Sequence, residues 1–401
     1  MPTMTVEATG SLETVDKQQW DDLANPGWIV EDGGRVSGGG SHAFNPFVTY
    51  DFLRALEDAG CVGGRSGWYP RHLLIRGAEG SLIGAAPAYL KTHSKGEYVF
   101  DYGWADAFER AGGRYYPKLQ VSVPFTPAQG PRLLVGEGSA EARQLVGRAL
   151  VALADEVDAS SIHATFLQSD DVAALQAEDY LLRTDTQFHF TNDGYETPDD
   201  FLAALASRKR KQVKRERRDA LANDISIRWL TGDDITEAHW DAFYEFYMDT
   251  GSRKWGRPYL NRKFFSLLGE RLGHCVCLMI AERAGRPIAG ALNLIGSDTL
   301  FGRYWGCTED HPFLHFEVCY YQAIDFAIAH KLKRVEAGAQ GGHKLARGYE
   351  PTQTVSAHYI GHPGLRTAVA HYLEAERREV EAHQSYLNQA LPFRKGDDPT
   401  C

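Results

Sequence analysis

Between residues 274 and 305 the sequence spells out three strands joined by two tight turns, and this stretch restricts the architecture more than any other. The strands read HCVCLMIAE, PIAGALNLI and TLFGRYW, and the turns are Arg283-Ala284-Gly285-Arg286 and Gly296-Ser297-Asp298. Apolar, β-rich runs closed by short glycine- or aspartate-bearing turns form antiparallel hairpins. A strand at 225–230 and helices at 234–250 and 261–272 precede this meander; a helix at 313–331 and strands at 334–336 and 355–360 follow it, and helices over 364–387 close the chain. The first half repeats the order more weakly. It has a short helix near 47–56, strand candidates at 71–76, 81–91 and 98–102, helices at 108–116, 141–155 and 171–178, and strands at 161–167 and 181–190. The segment 115–127 is aromatic and carries prolines, which argue against a central strand there and suit a pocket wall or a domain contact. An α/β (α+β) chain of two similar domains is expected. The predicted organisation is a flexible N-terminal lead-in over 1–42 (it contains GGRVSGGG), a first domain over 43–192, a second over 193–395 and a tail over 396–401.

The loop 338–351 stands between two strands and holds four glycines and one proline, so it is neither helix nor strand. It also carries His343, Lys344, Arg347, Tyr349 and Glu350. Donors, acceptors and an imidazole on a backbone free to approach a ligand point to a site.

A second concentration of chemistry lies in a helix predicted over 199–223. Thr197 caps it and Pro198 takes its first position. From Arg208 to Arg218, eight of eleven residues are Lys or Arg. At helical spacing Arg208, Lys211, Lys214, Arg215 and Arg218 share one side, and Leu202, Leu205 and Val213 another. Together with Lys209 they form a cationic face in a chain of net charge −10. Such a concentration fits a polyanion, such as a coenzyme A arm or a tRNA acceptor stem.

Several classes are set aside. No apolar run reaches membrane-spanning length, and residues 1–10 have neither the basic nor the apolar region of a signal peptide. Six cysteines without regular spacing suit reduced thiols and a cytoplasmic protein, with Cys275 and Cys277 in a core. His311, His315 and His343 lack metal-motif spacing, so no metal is expected, and no serine elbow motif occurs.

Four segments carry a family resemblance. They are Val123-Pro124-Phe125-Thr126-Pro127 with Gly130-Pro131-Arg132; Ser207-Arg208-Lys209-Arg210-Lys211; Leu314-His315-Phe316-Glu317 with Cys319-Tyr320-Tyr321-Gln322-Ala323-Ile324; and the loop 338–351 with Ser356 and His358. Over residues 45–395 the chain resembles the FemAB-like branch of the GNAT acyltransferases, and more closely a bacterial peptidoglycan biosynthesis/recognition family. The resemblance implies tandem GNAT-like domains, each a mixed, mostly antiparallel sheet flanked by helices. It implies an N-acyl or aminoacyl transferase that moves its group from aminoacyl-tRNA or acyl-CoA to an amine of a small molecule or cell-wall precursor. The amine attacks directly, with no covalent enzyme intermediate and no tightly bound cofactor. Two departures motivate an alternative, a non-catalytic module recognising an anionic glycopeptide or nucleic acid, although the second of them also weakens acetyl-CoA binding and so favours the FemAB-like reading. Gly342 stands where the family has a loop glutamate, and Glu309 and Asp310 occupy the position of a pyrophosphate loop, where acids repel phosphate.

Transfer to an amine requires a proton acceptor, a stabilised oxyanion and a protonated leaving group. His343 or Glu317 suits the first role, Lys344 and Arg347 the second, and Tyr349 or Tyr320 the third. Arg347, Glu350, His315, Tyr320, Ser356 and His358 are the expected substrate contacts. The helix dipole should keep Glu317 acidic and a poor base, which favours His343.

Overall fold

The computed structural model describes residues 4–137, 139–254, 258–338 and 341–394; of 252–254 only the backbone is described. The predicted tail, Ala339 and Gln340 lie outside the described residues. The chain forms two compact units, Met1–Asp185 with Gln353–Glu381, and Thr186–Thr352 with Ala382–Cys401. The division falls near the expected one at 192, but residues 353–381 return to the first unit, whereas the sequence reading assigns them to the second domain.

The second unit contains the predicted meander. Ile225–Thr231, Val276–Arg283, Arg286–Ile295 and Thr299–Cys307 pair antiparallel in sequence order. Thr299–Cys307 then pairs in parallel with Arg334–Glu336, and that strand antiparallel with residues 189–191. The parallel pairing involves Thr299, Leu300 and Phe301, and residues 302–307 run on beyond it. A register shift at Leu292/Asn293 bends the neighbouring pairing at the same level. Phe190, Phe201, Met279, Leu300, Val318 and Phe326 are among the buried side chains of the core. Each such side chain contributes roughly 1.5–3 kcal/mol relative to exposure.

The predicted helix 199–223 is two helices, Pro198–Ala204 and Ser207–Ala220. Thr197 and Asp200 form a reciprocal capping box at the start. Leu205 is extended, and the break is bound from elsewhere in the chain. The Ala206 N–H donates to the Pro392 carbonyl at 2.9 Å, and the Arg394 N–H to that of Ala204 at 3.0 Å. Nothing local in a Leu-Ala pair announces such a break.

The first unit has the same plan. Trp68–Pro70, Ala88–Lys91 and Lys118–Val121 run antiparallel; Lys118–Val121 then pairs in parallel with Ser161–Ala164, which pairs antiparallel with residues 357–360. Lys118–Val121 is thus a central strand after all, because Pro117 and Pro124 flank it and leave its N–H groups intact. The expected strand 81–91 divides at Pro87 into Leu82–Ala86 and Ala88–Lys91, which enter different sheets. Residues 98–102 are not a strand: Tyr98 adopts φ +62° and Tyr102 starts a helix. The lead-in is folded rather than loose. Thr5–Thr9 pairs with His72–Arg76, and buried Trp20 donates its indole N–H to the Val48 carbonyl at 2.9 Å.

Candidate active site

The site of the second unit is built from the helix after the meander and the glycine loop. Phe313 enters that helix at φ +64°. One α-turn, Leu314–Phe316, leads into a π-turn, Glu317–Tyr321, and α-helix resumes over Gln322–Ala329. A π-turn carries one extra residue and rotates the following side chains, a device common at functional sites. The loop supplies a short 3₁₀ segment, Gly342–Arg347, bracketed by Gly341 at φ +119° and Gly348 at φ +89°. Both conformations favour glycine, and a Cβ on Gly341 would lie 2.6 Å from the His343 ring.

Between these elements Tyr320 Oη and His343 Nε2 are 2.9 Å apart. The imidazole also packs on Phe316, with ring centroids 5.6 Å apart, and His315 lies between the Tyr320 and Trp305 rings. Burial raises the Tyr320 phenol, so it stays protonated. Lys344 is buried and donates to the Gly338 carbonyl at 2.9 Å; burial brings its pKa from 10.5 down to about 8.

The remaining loop residues are mainly structural. The Arg347 guanidinium lies 3.4 Å over the Phe316 ring and donates to the His343 carbonyl (2.7 Å) and to Glu216 (2.9 Å). Glu216 also accepts from Tyr321 at 2.6 Å. Tyr349 is fully buried, with its hydroxyl on the Tyr320 carbonyl at 3.1 Å; it is a packing group, not an acid exposed to substrate. Glu350 is half-buried, and burial raises its carboxyl.

Glu317 departs from expectation. It is fully buried, and it accepts from Arg217 at 3.0 and 3.2 Å and from Gln322 at 2.8 Å. Arg217 also reaches Asp325 at 2.5 and 3.2 Å. Burial raises the Glu317 carboxyl and Arg217 offsets only part of that, so desolvation overrides the helix dipole. Sequence reasoning counts Arg217 among the eight cations of 208–218 but assigns it to neither face. Yet Val213, Glu216, Arg217 and Ala220 follow the i, i+3, i+4, i+7 spacing of an inward face, and that signal identifies it.

An open cavity of about 360 Å³ adjoins the Tyr320–His343 pair through His315 and Phe316. Trp305 and Cys307, beyond the parallel pairing, form another wall, and Glu309 and His311 lie in the connecting loop. The expected repulsion from Glu309 is largely cancelled. Its carboxylate accepts from His311 (3.0 Å), Arg283 (2.9 and 3.0 Å) and Arg286 (2.6 Å), contacts that pull its pKa to about 2.

On Ser207–Ala220 the predicted cationic face is present. Arg208, Lys211, Lys214, Arg215 and Arg218 are exposed, Lys209 is half-buried, and Arg218 pairs with adjacent Asp219 at 2.8 Å. Ser356 and His358 are not with this cluster: they lie in the first unit, because residues 353–360 of the last strand belong there. Among the described residues no group of His, Cys, Asp and Glu could hold a metal ion, and no helix is long and apolar enough to cross a membrane.

The crystal structure of FemX superposes with a TM-score of 0.53 over 89% of this chain and 98% of FemX, at 12% identity, which shows the fold. A tandem GNAT protein from the clavulanic acid biosynthesis pathway (13% identical, 90% of this chain and 99% of that one, TM-score 0.44) is also similar. So is L-PGS from Bacillus licheniformis (8% identical, 85% and 96%, TM-score 0.47). No curated protein matches. The model of a FemAB-like family, described as peptidoglycan biosynthesis/recognition, matches residues 11–395, and the chain belongs to that family.

Proposed function

We propose that the protein is an aminoacyl or acyl transferase. It moves its group from a phosphate-bearing carrier, aminoacyl-tRNA or acyl-CoA, to an amine of a peptidoglycan precursor or a related small molecule. The observation that carries this reading is the Tyr320–His343 pair beside the open cavity at the end of strand Thr299–Cys307.

In this reading neutral His343 holds its proton on Nε2 and donates to Tyr320 Oη. The amine attacks the carbonyl carbon, and its proton passes to His343 Nδ1. As the bond to the carrier breaks, Tyr320 protonates the leaving atom and regains a proton from His343 Nε2. The shuttle ends neutral, with no covalent enzyme intermediate. Lys344 places positive charge in the same loop, where the oxyanion develops. Glu317 is not the base, because Arg217 and Gln322 occupy its carboxylate. The exposed cations of Ser207–Ala220 hold the carrier's phosphates, and a tRNA offers more phosphates to such a face than coenzyme A does. Its substrates would place the protein in the cytoplasm.

The second reading, a recognition module without turnover, draws on the occupied Glu317 and on Gly342 in place of an acid. One experiment separates the two. Purified protein is given charged tRNA or acetyl-CoA with a muramyl pentapeptide, and transfer and donor binding are both measured. Transfer that disappears in His343→Ala while donor binding persists supports the transferase. Binding without transfer in the unaltered protein supports the recognition module.

A further inference from the structure

The first unit holds a second constellation, unrelated to the loop chemistry. His163 and His358 face each other across an antiparallel strand pair, with their Nδ1 atoms 2.7 Å apart. One proton must lie between those two nitrogens. Ser356 Oγ is 3.0 Å from His358 Nε2. At the other end, His163 Nε2 is 2.8 Å from Ser161 Oγ, 3.4 Å from Tyr115 Oη and 3.8 Å from Asp101 Oδ2.

The far end fixes the direction of the chain. Asp101 is ionised: burial works to raise its pKa, but the Lys118 ammonium beside it holds it well below the usual carboxylate range. Tyr115 donates to Asp101 at 2.7 Å, so its oxygen turns a lone pair toward His163. With a carboxylate and that lone pair nearby, His163 carries its proton on Nε2. Its Nδ1 is then an acceptor, His358 donates from Nδ1, and His358 Nε2 is left to accept from Ser356. Buried among cations, both imidazoles are held neutral near pH 7, as proton acceptors must be.

Ser356 also lines a cavity of about 50 Å³ with Val99, Phe100, Phe166, Arg183 and Asp185. Space of that size admits a few waters or a short acyl chain. Phe100, half-exposed at its mouth, stacks on Tyr102 with centroids 6.1 Å apart, leaving an aromatic surface for the alcohol half of an ester.

We propose that Ser356 is a nucleophile for short-chain acyl esters, activated by His358 and backed by His163 and Asp101. In the step, Ser356 Oγ bonds to the acyl carbon and its proton moves to His358 Nε2. The carbon–oxygen bond to the alcohol breaks, and the departing alkoxide takes that proton. Water then hydrolyses the acyl-serine using the same base in the same way, releasing the carboxylic acid. No sequence motif announces this set, because strand pairing across 195 positions brings the histidines together.

The test is acylation of the full chain with p-nitrophenyl acetate, read as a burst of p-nitrophenol and by peptide mass mapping. The expected result is one acetyl group on the peptide containing Ser356. It should be absent in Ser356→Ala and form at least tenfold more slowly in His358→Gln. His343→Ala, altered in the other unit, should acylate like the unaltered protein, which separates this proposal from the transferase reading. Acetylation confined to lysines or other residues, or an unchanged burst in a Ser356→Ala protein of normal melting temperature, overturns it. If a variant fails to fold, the mass map of the unaltered chain decides alone.

Discussion

Tyr320 and His343 meet at 2.9 Å although one sits in a π-turn and the other in a 3₁₀ segment bracketed by left-handed glycines. Two irregular backbones converge on one hydrogen bond. Removing the imidazole in His343→Ala should lower transfer roughly 10²–10⁴-fold, the span of general acid–base catalysis, with donor affinity little changed. Tyr320→Phe keeps the ring packing and should lose a smaller part of the rate. Steady-state transfer kinetics beside donor titration test both.

Gly341→Ala probes the same pair from the backbone. At φ +119°, with the new Cβ 2.6 Å from the His343 ring, the side chain strains the turn and displaces the imidazole. The expected cost is about 1–3 kcal/mol of stability. Activity should fall much as in His343→Ala, while melting remains a single transition by calorimetry.

The buried carboxylate of Glu317 distinguishes structure from catalysis. Glu317→Gln keeps a hydrogen-bonding group for Arg217 and should retain transfer within a few-fold. Arg217→Ala leaves Glu317 and Asp325 without their guanidinium and should cost about 3–5 kcal/mol. Urea denaturation gives the second figure. Loss of transfer without loss of stability in Glu317→Gln would return that residue to the chemistry.

Lys344 sets a pH dependence. Its pKa is about 8 in the folded chain and 10.5 ordinarily, so between those values the unfolded state binds more protons. Stability therefore rises with pH across that window, by up to about 3 kcal/mol, and the burden is fully present below pH 8. Lys344→Met lacks the titration, so its stability relative to the unaltered protein should be most favourable at pH 7 and decline toward pH 10. Denaturant melts at the two pH values measure the difference.

The exposed cations of Ser207–Ala220 should govern salt sensitivity. Replacing Arg208, Lys211 and Arg215 with Glu should weaken tRNA binding. It should also flatten the dependence on log salt, by about 0.7–0.9 for each phosphate that is no longer neutralised. Melting should hardly change, because these side chains are exposed. Filter binding across a salt series provides the slopes.

Local signals in the sequence are strong where they concern periodicity. The meander, the capping box at Thr197 and the cationic face of Ser207–Ala220 all follow from spacing within a few residues. What escapes depends on partners far along the chain. The break at Leu205 is held by Pro392 and Arg394, Glu317 is neutralised by Arg217, and His358 faces His163. The family resemblance groups Ser356 and His358 with the loop 338–351, but the last strand carries them into the other unit.

That crossing also bears on biogenesis. The first unit is completed by Gln353–Glu381, which leave the ribosome only after all of Thr186–Thr352 has been made. The first unit therefore cannot close until the whole of Thr186–Thr352 has been synthesised. Its nascent sheet must wait for the strand that borders Ser161–Ala164, with that edge open to chaperones or to a neighbouring chain.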